Sequence, residues 1–325
     1  MRVHIHNDPS DPLYVISRAH WDAAVARAGE IGRGHVVTIG ANDGEFGAAI
    51  GATEALITCP PVILRHFPGP APALRLVFVT VAGVDRLAPF DWLPPGVALL
   101  NNRGAHAKGG EFAIMAVLML VNHLPALIAQ QRAQRWEQLH GGVLAGRRLT
   151  VIGLGTLGGS AAAHAAHFGM HVTGVRARPE PHPACNRVVT AAELDAVLPE
   201  TEFLVLACPL TAATRNLIDR RRLALLPRGA GVINIGRGAV LDQDAVCDLL
   251  DAGHLGGAVL DVFAHEPVPS GHRLWATPNL VVTPHVSSDD PANYIPRSLD
   301  IFFANLRALA EGRKPPNQVD LARGY

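Results

Sequence analysis

A glycine-rich turn, Gly-Leu-Gly-Thr-Leu-Gly at residues 153–158, limits the possible folds of this chain more than any other segment. A strand-like run precedes the turn and an alanine-rich helical run follows it. In such a unit the first glycine permits a tight turn, the second lets the backbone approach a pyrophosphate, and the third lets the helix pack on the strand. The N-terminus of the helix then faces the anion. We therefore predict a dinucleotide-binding turn formed by Gly153, Gly155, Thr156, Leu157 and Gly158.

Short runs rich in β-branched residues alternate with helix-like stretches along the whole chain. This alternation predicts parallel sheets that are covered by helices on both faces. Each run has about the length of a buried strand. The predicted strands are the N-terminal run MRVHIHND and residues 35–39, 55–59, 74–80, 97–102, 149–153, 171–175, 203–208, 231–235, 257–262 and 280–285.

The position of the glycine-rich turn indicates two domains. Such a turn normally follows the first strand of its own domain, but here about a hundred residues of separate α/β pattern precede it. After residue 285 only the helix-like stretch 291–311 remains, which is too short to form another domain. We therefore predict a dinucleotide-binding domain at 102–286, inserted into a first domain formed by 1–101 and 287–325.

Composition argues against several classes of partner. The 28 Lys and Arg residues balance the 28 Asp and Glu residues, so the chain has no net positive charge to attract nucleic acid or an anionic membrane. The most apolar run, 112–121, is too short to cross a bilayer, and the N-terminus lacks the apolar stretch of a signal peptide. The four cysteines show no disulfide pattern. We predict a cytoplasmic protein that binds a small molecule, with neither a nucleic acid nor a membrane as partner.

The histidines do not indicate a metal site. All 16 are scattered along the chain, and no HExxH motif places two of them on one helical face. We therefore expect no bound metal.

The end of the predicted strand 171–175 indicates which dinucleotide is bound. A protein selective for NAD usually has Asp or Glu at this point, where it accepts hydrogen bonds from the ribose 2′-hydroxyl. This chain has Arg176 and then Arg178. A guanidinium cannot accept those bonds, but it can bind a 2′-phosphate. The two arginines predict a preference for NADPH, with NAD possible as a second cofactor and solvated surface arginines as the alternative interpretation.

Three polar residues follow three separate strands: Arg237, Glu266 and His285. In open α/β sheets, ligands bind beyond the carboxyl ends of the strands, and each of the three lies at such an end. Each also has an ordinary explanation when taken alone, as a surface arginine, a loop carboxylate or a histidine that ends a strand. Together they are candidates for binding and proton transfer.

The segments around these residues resemble the D-2-hydroxyacid dehydrogenase family over essentially the whole chain. The matching segments are GLGTLGG (153–159), CPLTAATRNLI (208–218), VINIGRGAVLD (232–242), AVLDVFAHEP (258–267), TPHVSS (283–288) and VFVTVAGVD (77–85). Within the family, the bacterial glyoxylate/hydroxypyruvate reductases are most similar, because of CPP at 59–61 and LW at 274–275. The resemblance implies an α/β fold of two Rossmann-like domains with parallel sheets, in which the dinucleotide-binding domain is inserted into a flavodoxin-like substrate domain.

The same resemblance implies an NAD(P)H-dependent reduction of a small 2-keto acid, glyoxylate or hydroxypyruvate, to the D-2-hydroxy acid. Arg237 matches the arginine that clamps the substrate carboxylate, and His285 matches the acid/base that protonates the keto oxygen. Glu266 matches the carboxylate that stabilises the charged imidazolium. The backbone at Ala82 and Gly83 matches the turn that binds the substrate carboxylate from the other domain. A homodimer is also implied.

Further cofactor contacts are implied by position. Cys208 and Pro209 match the loop beside the adenosine, Ile235 and Asp261 match positions that line the nicotinamide, and Ser287 matches a contact to the carboxamide. The chain differs from many relatives at Val81 and over Ser287–Asp290, both next to the expected substrate site. It also has Trp136 in a stretch that resembles the family's dimer-facing arm.

Two other interpretations stay open. A phosphite dehydrogenase, or a dehydrogenase for another 2-hydroxy acid, would keep the same three polar residues, whereas a formate dehydrogenase would have glutamine in place of Glu266. A dinucleotide-sensing binding protein could also retain them, although the neutral charge and the absence of basic tails argue against it. An assay with phosphite and NAD(P)⁺ would separate the phosphite dehydrogenase, and turnover of a keto acid would eliminate the binding protein.

Overall fold

The computed structural model describes residues 1–104 and 108–325. It divides into two compact units, of which the first comprises Met1–His106 with Asp290–Tyr325 and the second comprises Ala107–Asp289. The boundaries predicted from the sequence lie three to five residues earlier, at 101/102 and 286/287. The assignment of a substrate role to one unit and a dinucleotide role to the other stays a prediction.

Twelve strands and ten α-helices are defined within the described residues. The strands are β1 (Arg2–His6), β2 (Val36–Gly40), β3 (Ala55–Thr58), β4 (Leu76–Val79), β5 (Ala98–Leu100), β6 (Arg148–Ile152), β7 (His171–Val175), β8 (Arg187–Val189), β9 (Phe203–Leu206), β10 (Gly231–Asn234), β11 (Gly257–Leu260) and β12 (Leu280–Val282). The helices are α1 (Arg18–Ala28), α2 (Asp43–Ile50), α3 (Pro60–His66), α4 (Lys108–Val121), α5 (Leu124–Arg132), α6 (Thr156–His167), α7 (Leu194–Val197), α8 (Arg220–Leu223), α9 (Gln243–Asp251) and α10 (Tyr294–Ala310).

The first unit contains a five-stranded parallel sheet with the order β2-β1-β3-β4-β5. This is the flavodoxin-like order, in which the strand order reverses between β1 and β3. The apolar side of α10 packs against one face of the sheet, because Ile295, Leu299, Phe302 and Leu306 recur at helical spacing and are all buried. A second cluster that includes Phe46 covers the other face.

The second unit contains a seven-stranded parallel sheet with the order β12-β11-β10-β9-β6-β7-β8. Counted from β6, this is the doubly wound order with a seventh strand added, and the order reverses between β6 and β9. The two parallel sheets confirm the predicted α/β fold. Strand β8 was not predicted, because it is only three residues long and its alternation is too short to recognise.

Helix α4 contains the most apolar run of the chain. Its buried residues pack against α6 and β10 within the second unit, where they form one core with residues of β6 and β9. Within the described ranges, no single helix is long and apolar enough to span a membrane. Helices α4 and α5 meet that test only as a pair, with a bend of 63° between them.

Candidate active site

The glycine-rich turn connects β6 to α6, as its sequence predicts. Gly153 has a φ of +92°, and a Cβ atom placed on it would lie 2.6 Å from Cys208 Cα. A Cβ on Gly158 would lie 1.8 Å from the Gly153 carbonyl oxygen, so this position tolerates only glycine. A Cβ on Gly155, by contrast, would meet no atom within 4 Å. The N-terminus of α6 therefore opens onto free space, which is the form required for an approaching pyrophosphate.

The start of α6 and the loop after β9 border this open space. Thr156 is exposed and Leu157 is half-buried at the first positions of α6. Pro209 is exposed, whereas Cys208 is buried and its side chain belongs to the core of the unit. Burial raises the pKa of the Cys208 thiol to about 12. The predicted adenosine contact at Cys208 would therefore be made by its backbone rather than by its thiol.

Arg176 and Arg178, from which the preference for NADPH is predicted, follow directly after β7. Strand β7 pairs with β6 in the sheet. The Arg176 N–H donates to the Val189 carbonyl at the end of β8 (3.1 Å), and its guanidinium Nη2 donates to Glu180 Oε2 (2.8 Å). Arg178 is exposed. The structure therefore places a carboxylate beside the predicted phosphate-binding arginine. Sequence reasoning missed Glu180, because spacing of four residues indicates contact only on a helix and this segment is not helical.

Three neighbouring strands of the second sheet end at the same level. Asn234 of β10 is in register with Leu260 of β11, and Leu260 is in register with Val282 of β12. The loops that follow these strands contain Arg237, Glu266 and His285, respectively. The predicted candidate residues therefore lie on three adjacent loops at one edge of a single sheet.

The Arg237 loop packs directly on the loop that contains Glu266. A Cβ placed on Gly238 would lie 1.9 Å from the carbonyl carbon of Phe263, so only glycine allows this contact between the two backbones. Asn234 Nδ2 donates to the Arg237 carbonyl oxygen (3.1 Å), and Arg237 Nη1 donates to the Gly236 carbonyl oxygen (2.8 Å). These contacts fix the base of the arginine loop.

His285 and Glu266 form a directly bonded pair. His285 Nδ1 lies 3.0 Å from Glu266 Oε2, and the Phe263 N–H donates to Glu266 Oε1 (3.0 Å). Because an ionised carboxylate only accepts, Nδ1 is the donor in this bond. Nε2 is then the ring nitrogen that remains available to donate a proton to a substrate. The side chain of His285 is 47% exposed, whereas that of Glu266 is 17% exposed, so the pair combines a held carboxylate with an accessible imidazole.

Asp261 holds the loop on which His285 lies. Its carboxylate is fully buried and accepts from the Thr283 hydroxyl (2.6 Å), the Val286 N–H (2.9 Å) and the Ser287 N–H (2.9 Å). These bonds bracket His285, which has a φ of +56°, a conformation that is unfavourable for a residue with a side chain. The structure thus gives Asp261 a positioning role that sequence reasoning missed. Its predicted contact to the nicotinamide stays a prediction, as do those of Ile235 and Ser287, which are both buried.

Lys108 holds the other end of the same loop. Its Nζ donates to the carbonyl oxygens of Val286 (3.1 Å) and Asp289 (2.5 Å). The helix that begins at Lys108 therefore contacts the residues that follow His285. No pattern in the sequence indicates this contact, since a lysine at the start of an apolar helix is usually a solvated residue.

A cavity of about 380 Å³ lies beside the histidine–glutamate pair. Both members of the pair contribute to its wall, and the remaining wall is mainly apolar, formed by Phe263, Pro267, Val268, Trp275, Val282 and Pro284. The described part of the chain contains no group of three or more His, Cys, Asp or Glu residues arranged to hold a metal ion.

The predicted carboxylate-binding turn of the first unit follows β4. Ala82 and Gly83 are half-buried there, and Asn101 Nδ2 donates to the Ala82 carbonyl oxygen (2.9 Å). The Val81 carbonyl accepts from the Asn102 N–H (3.0 Å), so two asparagines support this turn. Their role in substrate binding stays a prediction.

Comparison with known proteins agrees with the fold and with the motifs. Residues 114–287 match the profile of the D-isomer specific 2-hydroxyacid dehydrogenase, NAD binding domain. Glyoxylate/hydroxypyruvate reductase A of Yersinia enterocolitica is 31% identical over 260 residues, covering 78% of this chain and 82% of that protein. The same-named protein of Serratia proteamaculans is 31% identical over 282 residues, covering 84% of this chain and 88% of that protein.

Solved structures of the same family superpose over nearly the full length. A D-isomer specific 2-hydroxyacid dehydrogenase from Xanthobacter autotrophicus Py2, solved with NADPH and MES, has a TM-score of 0.82 and 31% identity, covering 99% of each chain. An NADPH-dependent glyoxylate/hydroxypyruvate reductase from Sinorhizobium meliloti, solved with NADP and sulfate, has a TM-score of 0.80 and 28% identity, covering 100% of this chain and 99% of that one. This chain belongs to the D-isomer specific 2-hydroxyacid dehydrogenase family of oxidoreductases.

Proposed function

We propose that the protein reduces glyoxylate or hydroxypyruvate to the D-2-hydroxy acid with NADPH. The observation that most supports this proposal is the 3.0 Å contact between His285 Nδ1 and Glu266 Oε2, beside a cavity to which both residues contribute. A carbonyl reduction needs a proton donor at this point, and a carboxylate-bound imidazolium is such a donor. The relatives named as glyoxylate/hydroxypyruvate reductases support the choice of substrate.

Each residue of the proposed site has a separate task. Arg237 binds the substrate carboxylate with its planar fork and polarises the keto oxygen as negative charge develops. His285 Nε2 donates a proton to that oxygen, while Glu266 holds the ring through Nδ1 and stabilises its charged form. When bound, the nicotinamide supplies the hydride. Ala82 and Gly83 are the proposed backbone contacts to the substrate carboxylate.

The proposed cofactor preference depends on Arg176 and Arg178. Two structures of relatives contain NADPH or NADP, which supports the same choice here. A phosphate at about 4 Å from a guanidinium gains up to ~4 kcal/mol at an effective dielectric constant of ~20, and solvent and salt reduce this to ~1–3 kcal/mol. That gain corresponds to a preference of about five- to a hundred-fold in kcat/KM, with NADH as a weaker cofactor.

A panel of keto acids assayed with both cofactors tests the proposal. Glyoxylate and hydroxypyruvate should have higher kcat/KM values than phenylpyruvate or branched keto acids, and NADPH should exceed NADH. Arg176→Asp should reverse the cofactor preference, because it adds an acceptor for a 2′-hydroxyl and repels a 2′-phosphate. Preference for a bulky aromatic keto acid would refute the proposed substrate. Equal use of both cofactors by the wild-type enzyme would refute the proposed NADPH preference.

Two wider expectations accompany this proposal. The second unit is the proposed dinucleotide-binding domain, and the protein is a proposed homodimer. Trp136 is 95% exposed in the single chain, as expected of a residue on an arm that a second subunit covers. Sedimentation of the purified protein would test the dimer, because a monomer at micromolar concentration would contradict it.

A further inference from the structure

We propose that Glu180 sets the degree of cofactor discrimination by competing with a 2′-phosphate for Arg176. This inference rests on the proposed use of NADPH, and it concerns a residue outside the glycine-rich turn and the proton-transfer pair. Glu180 Oε2 accepts from Arg176 Nη2 at 2.8 Å. The competition follows from where these two groups lie and what each can bond.

The backbone brings Glu180 back to the end of β7. The Arg176 N–H is bonded to the Val189 carbonyl (3.1 Å), which fixes the start of the segment against β8. The Glu180 N–H donates to the Arg178 carbonyl (2.8 Å), which folds the segment into a turn. The carboxylate therefore lies at the strand end where a dinucleotide-binding domain recognises the adenosine ribose.

The pair is open to a ligand. The side chain of Arg176 is 31% exposed and that of Glu180 is 59% exposed. Arg178 adds a second positive charge at the surface. Without Glu180 the segment would offer two guanidinium groups to a phosphate, but the carboxylate offsets one of these charges and occupies the Nη2 donor of Arg176.

The two cofactors make opposite demands on this carboxylate. A 2′-phosphate must displace it from Arg176 and then bear its negative charge close by. A 2′-hydroxyl instead needs an acceptor, which the carboxylate provides and the guanidinium groups cannot. Glu180 therefore weakens NADPH binding and strengthens NADH binding, so the wild-type enzyme has a graded rather than an absolute preference.

Equilibrium binding tests this inference without turnover. We would titrate the purified enzyme with NADPH and with NADH at low salt, follow nicotinamide fluorescence, and compare the ratio of the two dissociation constants. Glu180→Gln removes the charge and keeps an acceptor, so it should raise the preference for NADPH about two- to fivefold, in line with an exposed ion pair. The increase should diminish in high salt.

The chain offers a closely matched control. Glu200 is 58% exposed and pairs with Arg148 at 3.4 Å, at the amino ends of β6 and β9 and so at the opposite edge of the same sheet. Glu200→Gln removes the same charge from the protein and should leave the ratio unchanged. An equal change in the ratio for both variants, or no change for Glu180→Gln, would overturn the inference.

A second enzyme variant, Arg176→Met, tests whether Glu180 and the 2′-phosphate compete for Arg176. In an Arg176→Met enzyme, Glu180→Gln should change the ratio much less, because the guanidinium for which the two anions compete is absent. A full effect in that background would overturn competition as the cause. The wild-type ratio separately tests the proposed function: binding NADH as tightly as NADPH would refute the NADPH preference, while the change caused by Glu180→Gln would still test the role of Glu180.

Discussion

Acidification should destabilise the first unit, because β1 contains two buried histidines. His4 Nδ1 lies 2.8 Å from the Thr38 hydroxyl, and His4 Nε2 lies 3.1 Å from His6 Nδ1. Burial, and then the neighbouring His6, lower the pKa of His4 from 6.5 to about 4, although Glu45 opposes the shift. Burial, followed by the neighbouring His66, also lowers the pKa of His6. Both rings are therefore kept neutral in the folded protein.

The direction of the effect follows from proton uptake. The unfolded chain protonates His4 near pH 6.5, whereas the folded chain does so only near pH 4. The unfolded state therefore binds more protons in this interval, and the free energy of unfolding decreases as the pH falls through it. A difference of about 2.5 pKa units corresponds to ~3 kcal/mol in total, of which ~2 kcal/mol should be lost between about pH 7.5 and about pH 5. His6 adds to this loss.

Tryptophan fluorescence in urea can measure this change in the first unit. Trp21 and Trp92 are buried there, with 3% and 7% exposure, whereas Trp136 and Trp275 of the second unit are already 95% and 54% exposed. In a Trp136→Phe enzyme, which lacks the tryptophan proposed to lie against a second subunit, the emission shift on unfolding therefore reports mainly on the first unit. The urea midpoint of this transition should be clearly lower at about pH 5 than at about pH 7.5.

Two variants separate His4 from other titrating groups. His4→Gln keeps a polar side chain but cannot titrate, so the loss of stability between the two pH values should shrink by most of the ~2 kcal/mol. His167→Gln changes an exposed histidine and should leave the pH dependence as in the wild type. If His4→Gln had the same pH dependence as the wild type, the assigned role of the buried pair would be wrong.

Three further predictions concern the second unit. Glu266→Gln should lower kcat/KM for the keto acid, because His285 Nδ1 loses the carboxylate that it contacts at 3.0 Å and the ring loses its fixed orientation; an unchanged kcat/KM would remove Glu266 from its proposed role. Arg237→Lys should lower kcat/KM about 10²-fold, because an ammonium cannot reproduce a planar fork, and near-normal kinetics would contradict the proposed clamp. Cys208 should react with iodoacetamide only after unfolding, because burial raises its pKa to about 12, and peptide mass spectrometry showing rapid labelling in the folded enzyme would contradict its burial.

Most of the fold could be predicted because the strand pattern is local. Of the twelve strands in the described part of the chain, eleven coincide with runs of β-branched and apolar residues, and such runs can be recognised without knowing which strands pair with them. Strand β8 is the exception, since its three residues become a strand by pairing with β7. The domain boundaries differ from the predicted ones by a few residues, because they depend on which core each loop residue joins.

The positions of those candidate site residues that directly follow a strand could be predicted from the sequence. Arg237, Glu266 and His285 each follow a recognisable strand, so their common edge follows from the parallel order. Glu180 and Lys108 were not predicted from the sequence. The contact of Glu180 depends on how an irregular segment folds, and the contacts of Lys108 depend on a helix that packs near a loop. Neither relation has a fixed spacing in the sequence.

Asp261 has a structural role in addition to the cofactor contact that the sequence predicts for it. The sequence places it at the end of β11 and the resemblance assigns it to the nicotinamide, yet its carboxylate also makes three bonds that hold residues on both sides of His285. Because His285 has a positive φ, its backbone depends on such support. A buried carboxylate with three donors tolerates amide replacement poorly, since an amide can accept with only one oxygen. We therefore expect the proposed proton transfer by His285 to depend on Asp261, which holds the backbone around it, as well as on Glu266, which contacts its ring.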